Sequence, residues 1–359
     1  MKTNNKFNFI EHGSDYHFPE LSKNDLEKDH DYNLFATGRD ALGSLIEYGK
    51  KTRGWKRIWM PSYNCQHVVA AVALIDIEIK LYDYSPIQDD DAIYKISFKK
   101  GDALLRINYF GLFNFKSNDG LDRSIIDIIE DHSHDPWSNW SFKSDADWCI
   151  ASIRKTMPVP DGGIVWSPKN HSLPGVPQLT GFHYLAALQE YTAMLLKEKY
   201  LNSEQIPHAQ FRNLFIKGED NLFEGIYSGP FSWTQELLKH IPIETWRKRR
   251  KENFNYLAEL LDSNESYSIL NPENEKLIPF SCILIFKSQG MRDKVRNKLV
   301  EQRIYTTILW PLEETVVELV SNKHLNLSRR IMSIPCDNRY DYKQLEYVAE
   351  KIIANIKDK

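Results

Sequence analysis

Short apolar runs that do not alternate narrow the folding options of this chain more than any other feature. Ala103-Leu104-Leu105-Arg106-Ile107, Ile125-Ile126-Asp127-Ile128-Ile129 and Trp148-Cys149-Ile150-Ala151-Ser152 are such runs. A strand with one wet face alternates apolar and polar residues, whereas a strand covered on both faces reads as a continuous run. Arg57–Met60, Glu78–Asp83, Ser124–Ile129 and Gly163–Trp166 complete the strand candidates of this half. Helical stretches lie between them. In Ala41–Gly49, Leu42, Leu45, Ile46 and Gly49 share one face, and Val68–Ile75 reads as a second helix. Strands alternating with helices argue for an α/β fold with a large, mostly parallel sheet. Thr37 and Asp40 stand in capping-box positions before the first helix, with Asp in place of the usual Glu.

Leu185–Tyr200 predicts a long helix, and the polar stretch from there to Glu224 carries no clear pattern. From about Ile241 the alternation restarts with a helix over Arg250–Leu261, a strand over Ile278–Phe286 and a helix over Arg292–Gln302. A strand over Ile304–Trp310 and a helix over Tyr342–Ile356 follow. This divides the chain into an N-terminal segment (1–34) packing near the small domain, a large domain (35–240) and a small C-terminal α/β domain (241–359).

Bulk properties remove several function classes. A chain of 359 residues, 42% hydrophobic and 26% charged, has the make-up of a globular protein. Its net charge of −3 gives no pull on a polyanion. The basic cluster Arg247-Lys248-Arg249-Arg250-Lys251 has acidic neighbours and no interleaved aromatics, so it reads as a solvated helix face. Met1–Phe18 lacks the apolar core of a signal peptide, and no run reaches the roughly 18 apolar residues of a membrane span. Four scattered cysteines without CxxC spacing fit reduced thiols. The expectation is a cytoplasmic protein with neither nucleic-acid nor membrane partners.

The chemistry centres on Lys155. It follows the apolar run that ends at Ser152 and precedes the Pro/Gly-broken segment Met157-Pro158-Val159-Pro160-Asp161-Gly162-Gly163. That places an amine at a strand end, where α/β proteins hold ligands. A lysine taken out of bulk water there can attack a carbonyl. Thr37-Gly38-Arg39-Asp40 opens a helix whose free N–H groups could hold a phosphate, provided Asp40 points away or pairs with Arg39. Ser152 could donate to the same phosphate.

Ile129-Glu130-Asp131-His132-Ser133-His134 ends a buried strand in two carboxylates and two imidazoles. Three readings of it stand side by side: Asp131 as partner of a pyridinium nitrogen, a polar loop capping the sheet, or a metal site. The last would be a metal-dependent hydrolase on Asp131, His132 and His134, although residues two apart on an extended segment point to opposite sides. No GxGxxG, P-loop or GxSxG motif occurs.

Taken in order, the segments resemble the pyridoxal-phosphate sugar aminotransferases of the DegT/DnrJ/EryC1/StrS family. Thr37-Gly38-Arg39-Asp40-Ala41-Leu42 is similar to its Ser-Gly-Thr-x-Ala-Leu phosphate loop, and Met60-Pro61-Ser62-Tyr63-Asn64-Cys65 to its Val-Pro-Ser-x-Thr-aromatic segment. Asn108-Tyr109-Phe110-Gly111 resembles His-Leu-Tyr-Gly, and Ile129–His134 resembles Ile-Glu-Asp-x-Ala-Gln/His. Lys155 keeps the family's distance to a Gly-Glu-Gly-Gly-like Asp161-Gly162-Gly163. Arg249-Arg250, Ile304-Tyr305-Thr306, Trp310-Pro311-Leu312 and Ser333-Ile334-Pro335 look like its closing segments.

The resemblance implies a PLP-dependent transferase fold of type I, aspartate-aminotransferase-like, with pyridoxal 5'-phosphate as cofactor. It implies Lys155 as the Schiff-base lysine, Asp131 on the pyridinium nitrogen and His134 orienting the ring. Gly38, Arg39, Asp40 and Ser152 would surround the phosphate, and Ser228 would reach the active site of a partner in a homodimer. Cys65 stands where the family has a stacking aromatic, Arg39 where it has threonine, and 167–227 departs from its pattern. The implied activity is transfer of an amino group, from glutamate, to a keto sugar carried on a nucleotide. Small molecules are thus the expected substrates: an amino donor and a keto-sugar acceptor. The alternatives are the metal-dependent hydrolase and a catalytically silent binding protein on the same fold.

Overall fold

The computed structural model describes residues 10–26, 31–87, 90–115, 120–223, 227–318 and 320–357. The first half runs β1 (Asn33–Phe35), α1 (Gly38–Thr52), β2 (Arg57–Pro61), α2 (Gln66–Ala73), β3 (Glu78–Tyr82), β4 (Asp102–Ile107), β5 (Ile126–Asp131), β6 (Trp148–Ser152) and β7 (Gly163–Trp166). Their seven strands form one sheet in the order β1-β7-β6-β5-β4-β2-β3. The pairs from β3 through β6 are parallel, and β7 is antiparallel to both β6 and β1. Every residue of β4 and β5 is buried, which is why those runs are continuous.

α1 begins where the Thr37 hydroxyl caps the Asp40 N–H at 3.1 Å, and its last turn carries Lys50 and Lys51 against the carbonyl end. It buries Leu42, Leu45 and Ile46 with Met60, Ile129 and Val165. Each such side chain contributes about 1.5–3 kcal/mol when fully removed from water. Asp127, a carboxylate within β5, is offset by Arg53 at 2.8 and 3.1 Å and by Trp55 Nε1 at 2.6 Å.

After β7 come α3 (Gly181–Leu201), α4 (His208–Phe223), α5 (Ser232–Leu238) and α6 (Ile243–Leu261). The unpatterned polar stretch is therefore largely a helix, α4, whose Phe211 and Phe215 pack with Ala193 and Met194 of α3; its last residue, Glu224, lies outside the described residues. Next follow β8 (Tyr267–Leu270), β9 (Cys282–Phe286), α7 (Gln289–Glu301), α8 (Asn322–Arg330), β10 (Ile331–Ile334) and α9 (Tyr342–Lys357). β10, β9 and β8 make a three-stranded antiparallel sheet, and α6, α7 and α9 cover it around a second core that includes Leu257, Leu284, Val295 and Ile352.

The strand expected over Ile304–Trp310 does not form. The segment makes only two isolated bridges, Ile304 to His12 and Thr307 to Ser333. Its apolar residues are buried all the same, Ile304 in the second core and Leu309 and Trp310 between the two sheets, so burial without sheet pairing explains the misleading pattern. The β9 strand also starts later than expected, at Cys282, and α6 earlier, at Ile243. Of the N-terminal segment, residues 1–9 and 27–30 lie outside the described residues. His12 reaches Pro335 O at 2.7 Å and stacks on Tyr340 with centroids 3.8 Å apart. Gly13, at φ +79°, passes so close to Tyr305 that a Cβ would sit 1.9 Å from its carbonyl oxygen.

Candidate active site

β5 and β6 are parallel neighbours, so their carboxyl ends deliver Asp131 and Ser152 to one edge of the sheet. A short turn of 3-10 helix, Ile153–Lys155, follows β6 and leaves Lys155 half-buried at that edge. Its Nζ lies 5.5 Å from the centre of the Trp310 ring. His134 also stacks on Trp310, with centroids 5.8 Å apart at an interplanar angle of 30°. Lysine, imidazole and indole therefore share one wall.

A hydrogen-bonded chain connects this wall to the start of α1. Asp131 Oδ1 accepts from the Ser133 hydroxyl at 2.6 Å and from the Ser133 N–H at 2.8 Å. The Ser133 hydroxyl oxygen in turn accepts from the Ser152 N–H at 2.8 Å. Gly38 lies against Ser152, where a Cβ would be 2.9 Å from the serine Cβ. The first N–H groups of α1 thus open beside Ser152, as free helix N-termini do where an anion binds. Among the described residues, none donates to Asp131 Oδ2.

His134 is fully buried, and its pKa is held well below the usual imidazole value, first by burial and then by the charge of Lys155. Its Nδ1 is within reach of both the Phe110 N–H at 3.1 Å and Asn108 O at 3.2 Å, so the ring proton sits on Nε2 when Nδ1 accepts from Phe110 and on Nδ1 when it donates to Asn108. That Nε2 is buried without a partner, as are Asn108 Oδ1, Asn64 Nδ2 and Thr156 Oγ1. Buried polar atoms are rarely left open, and those of His134 and Thr156, both tied to Lys155, mark a place built for a ligand. The donor set suits a pyridoxal phosphate: an amine for its aldehyde, a carboxylate for its ring nitrogen, an imidazole for its ring and a helix N-terminus for its phosphate.

Cys65 caps the start of α2. Burial pushes its thiol up, but hydrogen bonding with His67 and the Lys155 charge outweigh that and bring it below its ordinary value. His67 is raised by the same hydrogen bond. The stacking aromatic expected at this position is thus replaced by a polarised thiol, with Trp310 and His134 as the nearby rings.

Other expected residues go elsewhere. The Asp40 carboxylate does point away from the α1 N–H groups, but not to Arg39: it accepts from the Thr37 hydroxyl at 2.5 Å and the Ser228 N–H at 3.1 Å, with His183 Nε2 3.4 Å away. Arg39 sends its guanidinium to Leu222 O at 3.0 Å and over the Phe223 ring at 3.8 Å, so only its backbone faces the helix start. Ser228 is fully buried within its own subunit. Its hydroxyl donates to Gly229 O at 3.1 Å and accepts from the Thr180 N–H at 3.0 Å, which leaves nothing to present to another subunit.

The ligand set Asp131, His132 and His134 is not assembled. His132 turns to Glu130 Oε2 at 2.9 Å, on the far side of the strand from Asp131, with Cys149 Sγ 4.0 Å from the same oxygen. Trp310, Phe280, Thr156 and Arg296 were not singled out from the sequence as site residues. Trp310 carried a weak signal, an aromatic immediately before proline in a segment matching the family, whereas Arg296 sits in an ordinary amphipathic helix.

A cavity of about 370 Å³ opens from Lys155 and Thr156 toward the small sheet, lined also by Arg250, Phe280, Arg296 and Thr306. Arg250 bonds Asp135 Oδ1 at 2.8 Å and Pro279 O at 3.0 Å, so α6 is tied to the loop after β5.

No family model matches the chain, and no curated protein does. Solved structures do. PseC of Helicobacter pylori, an aminotransferase involved in pseudoaminic acid biosynthesis, is 10% identical with a TM-score of 0.65, over 98% of this chain and 100% of that one. DesI, solved in the presence of its TDP-sugar product, is 14% identical with a TM-score of 0.60, over 92% of this chain and 82% of its own. A Streptococcus pneumoniae protein described as a sugar aminotransferase, in its PLP form, is 10% identical with a TM-score of 0.60, over 90% and 86%. At such identities the likeness establishes a fold, the α/β fold of sugar aminotransferases.

Proposed function

We propose that this chain is a pyridoxal-phosphate-dependent aminotransferase that moves an amino group from glutamate to a keto sugar, carried on a nucleotide. The observation that carries the reading is Lys155 at the mouth of a cavity, beside a buried imidazole whose Nε2 has no partner and a carboxylate with one oxygen left open. The fold shared with PseC and DesI supports it, and DesI's product supports the nucleotide-linked acceptor.

When bound, pyridoxal phosphate supplies an aldehyde for the lysine and an electron-poor ring that stabilises negative charge on the adjoining carbon. The Asp131 carboxylate, held at Oδ1 by Ser133, would keep a ring nitrogen protonated through Oδ2. His134, neutral, would fix the ring's orientation through its unpartnered Nε2. The N–H groups of Gly38 and Arg39, with the Ser152 hydroxyl, would take the phosphate. Lys155, the amine on the Trp310 wall, would hold the cofactor's aldehyde and would carry a proton to and from the substrate carbon. Trp310 and Phe280 exclude water from that transfer. Homodimerisation and a cytoplasmic setting belong to the same reading, supported by the resemblance of the ordered motifs.

Absorbance spectroscopy of the purified protein tests it. A yellow chromophore fixed by borohydride, absent in Lys155→Ala and bleached by glutamate, is expected. Persistence of the colour in the variant overturns the role of Lys155, and indifference to glutamate leaves a catalytically silent binding protein instead.

A further inference from the structure

The cavity beside Lys155 carries more positive charge than its own carboxylates balance. Lys155, Arg212, Arg250, Arg296 and Arg339 line it, against Asp15 and Asp337. Most of these cations are engaged. Arg339 holds Asp337 at 2.7 and 2.8 Å, Arg250 holds Asp135 at 2.8 Å, and Arg212 holds Asp15 at 2.7 Å. Arg296 differs. On α7 it has no hydrogen-bond or carboxylate partner among the described residues, and its Nε is shielded from solvent without an acceptor. Thr306, 6% exposed and lining the same cavity, also has a hydroxyl without a partner.

A guanidinium whose Nε is shielded without an acceptor loses hydration there, a cost that an anion in the cavity offsets. Its planar fork matches the paired oxygens of a carboxylate or a phosphate, and a hydroxyl adds a third donor. We propose that Arg296, together with the Thr306 hydroxyl, is a specificity-determining site for an acid group on the molecule that reacts at Lys155. The inference rests on the aminotransferase reading for the event at Lys155, but the anion site stands on the cavity's own residues. An acid group there comes from one of two sources: the distal carboxylate of the amino donor or a phosphate of the acceptor. In either case its placement sets which reacting carbon lies beside Lys155, the amine-bearing carbon of the donor or the keto carbon of the acceptor, while Arg250 and Arg339 remain committed to holding the cavity's walls.

Isothermal titration of the holoprotein with glutarate, and separately with inorganic pyrophosphate, tests this without turnover. Wild type is expected to bind at least one of them, and Arg296→Gln to weaken that binding about tenfold or more, the scale of a charged hydrogen bond. Arg296→Lys, which keeps the charge and loses the fork, should recover part of it and serves also if the glutamine variant does not fold. Loss in the glutarate arm assigns the donor's carboxylate, and loss in the pyrophosphate arm assigns the acceptor's phosphate. Wild type binding neither, or variants binding as wild type does, overturns the proposal. A wild type without the yellow chromophore defeats the aminotransferase reading instead, since the titrations report Arg296 whether or not the cofactor is held.

Discussion

Glu130 and Asp131 are consecutive residues of one strand, and they end in opposite circumstances. Neighbouring strand residues face opposite sides, so the same two residue types, carboxylate and imidazole, appear twice across a few ångströms. On one side Glu130 holds His132 at 2.9 Å, Cys149 lies 4.0 Å away, Asn108 Nδ2 is 3.4 Å from the other ring nitrogen, and Trp140 packs edge-on at 4.6 Å. Glu130, His132 and Cys149 are fully buried there, and the carboxylate and the imidazole satisfy each other. Glu130, His132 and Cys149 lie close enough together to suit a metal ion, with ligand atoms within 4.8 Å, yet hydrogen bonds among them already account for the arrangement. On the other side Asp131 keeps one oxygen open and His134 one nitrogen. Chemistry is placed where valences are left unsatisfied, not where polar residues are densest.

The contrast breaks first at Lys155. Lys155→Ala should lower turnover by about a thousandfold or more, the upper range for removal of a positioned proton carrier, and erase the chromophore. Next is Asp131→Asn, which leaves shape but removes the charge facing a ring nitrogen. A loss of roughly a hundredfold in kcat, on the order of 3 kcal/mol or more for an uncompensated buried charge, is expected in stopped-flow reaction with glutamate. No loss would mean that the open oxygen faces nothing.

The closed regions should answer in stability instead. Burial depresses His12 from 6.5 to about 4, so the unfolded chain takes up the proton first. Stability from this group is then complete above pH 6.5 and is lost as pH falls toward 4, by about 3 kcal/mol at the acid end. Denaturant melts across that window should show the slope, and His12→Gln should remove part of it, the rest coming from His17, which burial also lowers to about 4. Smallest is His132→Ala, expected to cost about 1–3 kcal/mol by leaving Glu130 without its partner, with the chromophore retained. A vanished chromophore with a normal melt would show that the closed side is not merely structural.

Much of this was readable from residues in order. β6 and β7 fall at the bounds their apolar runs predict, because strands buried on both faces and stopped by Pro, Gly or polar residues carry a sharp pattern. β8, β10, α5 and α8 carry no clear pattern, being short elements whose stability is lent by their neighbours, α5 against the large sheet and the others in the second core and between the sheets. Within the site, Lys155, Asp131, His134, Ser152 and Gly38 converge on one edge, since parallel strands bring their carboxyl ends together. Where Arg39, Asp40 and Ser228 send their side chains was not legible, because the groups that engage them, in α4 and at Thr180 and His183, lie outside the patterned stretch Leu185–Tyr200. Arg296 was invisible for a different reason: an unpaired cation can be recognised only once its surroundings are known.

The leading segment offers a final consequence. Ser14, Asp15 and Tyr16 line the cavity, while Lys197 on α3 anchors the strand of chain before them through Glu11 at 2.7 Å and Asp15 O at 2.5 Å. One wall of the reaction chamber is therefore a detachable plank, nailed at a few points and belonging to neither sheet. Carpentry on residues 14–16 could recut the chamber for a different guest while the beams that hold Lys155 stay where they are.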